Sequence, residues 1–145
     1  MDINNKIDFW FPNMVGKPYK ILKIYNTEDN IFNCISYTLD IYDDWMWTNE
    51  KIWPSDIPRN LKLESFIMLY KKYGYIKCDD YNYEKGYTKI VLYCKNNIPT
   101  HAAVQHNNKW KSKIGPCIIE HDLEWVCGYS QYEYGDISYI MKRKI

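Results

Sequence analysis

Charge of one sign is missing from this sequence. Its 145 residues carry 19 Lys+Arg against 18 Asp+Glu, a formal net charge of +1. That balance provides no basic footprint for a phosphate backbone and argues against nucleic acid as a partner. Arginine is nearly absent, with only Arg59 and Arg143 among the basic residues. The skew toward Lys, with abundant Asn, Ile and Tyr, reads as codon bias and carries no functional content. No run approaches the roughly 18 apolar residues of a membrane span, which predicts no membrane partner. The opening MDINNKIDFWFPNMVG is polar and acidic where a secretory signal has an apolar core, which predicts a cytoplasmic location.

Cofactor signatures are missing too. The five cysteines (Cys34, Cys78, Cys94, Cys117 and Cys127) are odd in number, form no CxxC and show no zinc spacing. Free thiols in a reducing compartment fit that pattern. There is no Gly-x4-Gly-Lys-[Ser/Thr] loop and no dinucleotide fingerprint, so no cofactor is expected. The pairs Asp43-Asp44 and Asp79-Asp80 lack the ligand spacing of a calcium loop and read as solvated turns, so no metal is expected.

Apolar residues are plentiful, at 46% hydrophobic and 17% aromatic. A chain of this length buries roughly 70% of its unfolded surface. One domain over residues 1–145 follows. Residues 1–25 read as an irregular lead-in with a short strand at 21–25. Thr27, Asp29 and Asn30 are turn and cap formers ahead of a helix starting near Asn33. Residues 43–60, with Trp45, Trp47 and Trp53, read as an aromatic loop that closes a core edge. Residues 61–73 form an amphipathic helix ended by Gly74. Strands follow at 87–94, 100–105 and 110–114, then a short helix at 118–126 and a closing strand at 134–142. Lys109, Lys111 and Lys113 alternate and read as one face of an exposed edge. Helices first and a meander after predict an α+β fold with helices packed on an antiparallel sheet.

Cys34 and His101 carry the chemistry of interest. A thiol at a helix start meets free backbone N–H groups that lower its pKa and can hold an oxyanion. A nearby imidazole takes the thiol proton and returns it to the leaving group. The plainer reading, a small core Cys and a surface His, stands beside it.

Three segments resemble a family of small uncharacterised bacterial domains: NCISYTLDIYDDWMW (33–47), GYTKIVLYCKNNIPTHAAVQHNNKWKSKIG (86–115) and IIEHDL (118–123). The likeness runs on to Tyr134-Gly135 and Met141-Lys142-Arg143. Its arrangement is similar to papain-like cysteine amidases and peptidases. The resemblance implies a papain-like fold with Cys34 as nucleophile and His101 as base. By that analogy a third residue on the next strand orients the imidazole. Counting along the hairpin lands on Ser112 or Lys113. Ser112 can accept a hydrogen bond, whereas Lys113 would repel an imidazolium. Glu120, Asp122 and His121 are alternatives, and Gln105 lies in the THAAVQ segment. Asn33 could supply an oxyanion amide, though a helix cap is its simpler role. Two functions follow. One is a thiol hydrolase or transferase acting on an amide of a protein or peptide. The other is a non-catalytic binding or effector module.

Overall fold

The computed structural model describes residues 2–26, 28 and 30–145. Thr27 and Asp29, read above as turn and cap formers, lie outside the described residues. Helix α1 (Ile3–Trp10) leads through a 3-10 turn (Pro12–Met14) to strand β1 (Tyr19–Ile24). Helices α2 (Cys34–Thr38) and α3 (Leu63–Lys72) follow. Then come β2 (Ile76–Lys77), β3 (Tyr87–Lys95), β4 (Ile98–His106), β5 (Lys109–Ile114) and β6 (Cys117–His121). A second 3-10 turn (Leu123–Val126) precedes β7 (Asp136–Lys144). All seven strands join one antiparallel sheet in the order β1-β6-β5-β4-β3-β7-β2.

This is a sheet-dominated fold, and the expected papain-like α+β class is overturned. Among the described residues, the three α-helices have only eight, five and ten residues. Two local causes are visible. Asp40 turns to φ 60°, which stops α2 after five residues despite the apolar spacing that continues to Ile41. The 118–126 run does not form a helix. Its β-branched Ile118 and Ile119 pair with Lys113 and Ser112 on one side and with Lys23 and Ile21 on the other. Only 123–126 winds into a 3-10 turn.

The lead-in is ordered as well. Asp2 accepts from the Asn5 N–H at 3.0 Å and caps α1, which buries Ile7. Two hairpins close on Asn pairs, Asn96-Asn97 (φ 54° and 66°) and Asn107-Asn108 (φ 51° and 64°). Both residues of each pair take the left-handed conformation that tight hairpins require.

The sheet is buried on both faces. Ile90, Leu92, Ala102, Val104 and Met141 meet Phe32, Ile35, Trp53, Phe66 and Tyr70 on one. Val91, Tyr93, Ala103, Ile114 and Ile119 meet Ile7, Phe11 and Trp125 on the other. That is why the IVLYC stretch (90–94) reads as a continuous apolar run with no polar alternation.

One irregularity in the sheet positions the site. The β4–β5 ladder pairs only Val104↔Lys111, Gln105↔Trp110 and His106↔Lys109. Residues 98–103 stay with β3 while 112–114 stay with β6, so the two strands part. Helix α2 packs across β4 and β5 at this split.

Candidate functional site

Asn33 fixes the start of α2. Its Oδ1 accepts from the Ser36 N–H at 2.9 Å and from the Ser36 hydroxyl at 2.7 Å, while Nδ2 donates to the Met46 carbonyl at 2.8 Å. The Met46 N–H in turn donates to the Ser36 hydroxyl at 2.8 Å. Asn33 is therefore the helix cap and the pin that ties the 43–57 loop to it.

Cys34 follows, with its side chain packed into the α2 face of the sheet. Burial pushes the thiol up to about 11. Hydrogen bonds from the backbone of Ala102 and Ile35, and the Lys113 charge, pull the other way and lose. Without substrate, the thiol is protonated.

His101 is only 1% exposed and neither ring nitrogen has a hydrogen-bond partner. Such a group is rare in a folded interior and calls for an explanation. Its ring lies parallel to that of Tyr134, 3.9 Å away at 3°, with Tyr93 at 5.6 Å. Burial, then the nearby His121, hold the imidazole well below the usual histidine range, so it is neutral. Strand alternation turns His101 toward Tyr93, on the face opposite α2. The two faces meet at the split. Cys34 lies within electrostatic reach of the Ala102 backbone, the residue after His101, and of Tyr134, whose ring stacks on His101.

Ser112 serves a different histidine from the one expected. Its hydroxyl lies 2.6 Å from His121 Nε2, and His121 Nδ1 lies 2.7 Å from the Asp122 carbonyl. A carbonyl only accepts, so Nδ1 carries the proton and Ser112 donates to Nε2. Burial pushes His121 down to about 4, against the opposing pull of Asp122.

Lys113 departs from the expected exposed edge, because β5 is an inner strand between β4 and β6 and the side chain is buried. Its ammonium donates to the Gly115 carbonyl at 2.7 Å and to Asn30 Oδ1, and lies 5.1 Å from the Phe32 ring. Glu120 pairs in register with Lys20 and Lys111. Gln105 donates to the Tyr81 carbonyl at 3.5 Å. Neither is brought to Cys34. The structure thus sets Cys34 and Lys113 on the α2 face of the split and His101, with Ser112–His121 behind it, on the opposite face, with no hydrogen bond between the thiol and either imidazole nitrogen.

Two features escape the sequence reading. Tyr134 is one, although Tyr134-Gly135 belongs to the quoted resemblance. The other is a cavity of about 600 Å³ lined by Trp10, Phe11, Trp47, Thr100, Ile114 and Tyr134, among others. Trp47 thus lines a cavity while Trp53 is buried in the core.

Residues 23–142 match the family model described as a domain of unknown function, DUF7689. The chain belongs to that family. The DUF7689 match covers Cys34, His101, Ser112, Lys113, His121 and Tyr134, and leaves α1 outside although its Ile7 is fully buried against the sheet. No curated protein and no solved structure matches the chain. Among the described residues, no helix is long and apolar enough to cross a membrane.

Proposed function

We propose that the protein is a thiol-dependent hydrolase or transferase acting on an amide. One observation carries this reading: helix α2, which begins at Cys34, packs across β4, where His101 is buried with both ring nitrogens unsatisfied. A neutral imidazole is the form a general base requires, and a protonated thiol is the form it acts on.

The chemistry follows from those protonation states. As Cys34 Sγ attacks the carbonyl carbon, its proton passes to His101 and the carbonyl oxygen gains charge. Collapse breaks the C–N bond, and His101 returns the proton to the departing amine. Water or a second amine then cleaves the thioester and regenerates the thiol. Lys113 supplies the positive charge that the neutral histidine cannot, since Cys34 feels it as a stabiliser of the thiolate.

Acylation of Cys34 by p-nitrophenyl esters, read by intact mass, tests the proposal. Wild type is expected to form one adduct, on Cys34, and Cys34→Ser none there. His101→Ala should slow acylation by about 10²-fold or more, the usual contribution of a positioned base. Lys113→Met should slow it further at neutral pH than at pH 9.5, because a missing counter-charge raises the thiol pKa. Equal acylation rates in wild type and His101→Ala would defeat the proposal. The alternative, a binding module without turnover, draws on the burial that keeps Cys34 protonated, and it predicts those equal rates.

A further inference from the structure

We infer that the cavity beside the split is the subsite for an aromatic acyl group of the substrate, an inference that rests on the thiol reading of Cys34. Continuity supports it first. Thr100, in the cavity wall, immediately precedes His101, and the Tyr134 ring that lines the cavity also stacks on that imidazole at 3.9 Å. A group held in the cavity therefore lies against the ring that covers His101, while neither Cys34 nor His101 is itself part of the cavity wall.

Wall chemistry selects the occupant. Trp10, Phe11, Trp47 and Tyr134 present rings from three different parts of the chain, and aromatic guests gain edge and face contacts there beyond area burial. Two charged residues also line the space, but both are turned onto backbone. Lys95 donates to the Ser130 carbonyl at 2.7 Å and the Glu133 carbonyl at 3.4 Å, while the Glu133 carboxylate accepts from the Ser130 N–H at 3.0 Å. Lys95 is thereby engaged, whereas the second Glu133 carboxylate oxygen, Oε2, is buried without a hydrogen-bond partner. A cavity of about 600 Å³ sits mid-range for small-molecule pockets and accepts one or two rings.

Acyl esters with a common p-nitrophenolate leaving group isolate this subsite. Hydrocinnamoyl ester should acylate Cys34 at least tenfold faster than acetyl ester, and succinyl ester should be no faster than acetyl. Leu61→Trp, which fills the cavity from its wall, should bring the hydrocinnamoyl-to-acetyl ratio toward one. In parallel, Cys34→Ser should gain melting temperature with hydrocinnamamide and not with succinamic acid. Acylation of Cys34 without aromatic preference overturns this inference and leaves the thiol reading standing. No acylation by any ester, with the hydrocinnamamide shift present, overturns the thiol chemistry and supports the pocket. Failure of both arms overturns both.

Discussion

Lowering the pH from 7.5 to 4.5 is expected to remove about 3 kcal/mol of folding stability through His121 alone. Burial pushes this imidazole down to about 4 from an ordinary value of 6.5. Between those two values the unfolded chain binds a proton that the folded chain refuses. Stability is therefore fully present above pH 6.5 and is lost progressively as the pH falls toward 4. A shift of that size converts to about 3 kcal/mol, since each unit is worth roughly 1.4 kcal/mol. His101 is held low by the same cause and adds loss of the same sign, and the partly buried His106 adds a smaller one. Against a total stability of about 5–15 kcal/mol, the sum places acid unfolding near pH 5–4. Asp56 and Asp80 carry lowered carboxyl pKa values, so their contribution disappears below this window. Denaturant titrations at pH 7.5, 6.5, 5.5 and 4.5 measure the slope. His121→Gln should flatten it by about one proton's worth. A slope unchanged by that variant would mean His121 titrates normally in the folded protein.

Buried histidines also mark how far the sequence speaks for itself. Strands 87–95, 98–106 and 109–114 are legible because Gly86 and two Asn pairs punctuate them, each at a positive φ that few other residues accept. Helix 63–72 is legible from its apolar stripe and from Gly74 at φ 90°. The 118–126 run is not, since a short apolar stretch has no period to tell strand from helix. Reading β6 as a helix removes a strand, and the two residues of β2 carry no signal of their own, so the sheet is understated and the fold class with it. Cys34 and His101 are legible as a helix start and a strand position, whereas the burial of His101 is not. The effect of the helix start is not. Five residues make a weak dipole, and burial overrides it to leave the thiol near 11. Ser112 reaching His121 depends on the register Ser112↔Ile119, which no linear spacing reveals. Lys113 reads as exposed in the sequence because alternation identifies a face and says nothing about what covers it.

Gly135→Ala is expected to cost more than about 4 kcal/mol, whereas Gly86→Ala costs about 1 kcal/mol. Both glycines hold nearly the same left-handed conformation, φ 84° and 87°, so backbone strain is shared. Their surroundings differ. A Cβ on Gly86 meets nothing within 4 Å. One on Gly135 would overlap the Cys94 carbonyl oxygen and lie 2.8 Å from Lys95 Cα, and both are backbone that cannot swing away. Gly135 is also bonded on both sides, donating to the Gly128 carbonyl at 2.8 Å and accepting from the Gly128 N–H at 2.9 Å. Pushing it outward strains the neighbouring Tyr134, whose N–H donates to Val126 at 2.9 Å and whose carbonyl accepts from the Thr100 hydroxyl at 2.7 Å. That segment holds the ring stacked on His101, so the damage extends from packing to the site. Where Gly135→Ala still folds, Cys34 acylation should fall along with stability, and Gly86→Ala should lose only stability. Denaturant midpoints at matched m-values give the two costs. Equal costs at the two glycines would show that the β3 backbone yields to the methyl group and that Gly135 is required for its φ alone.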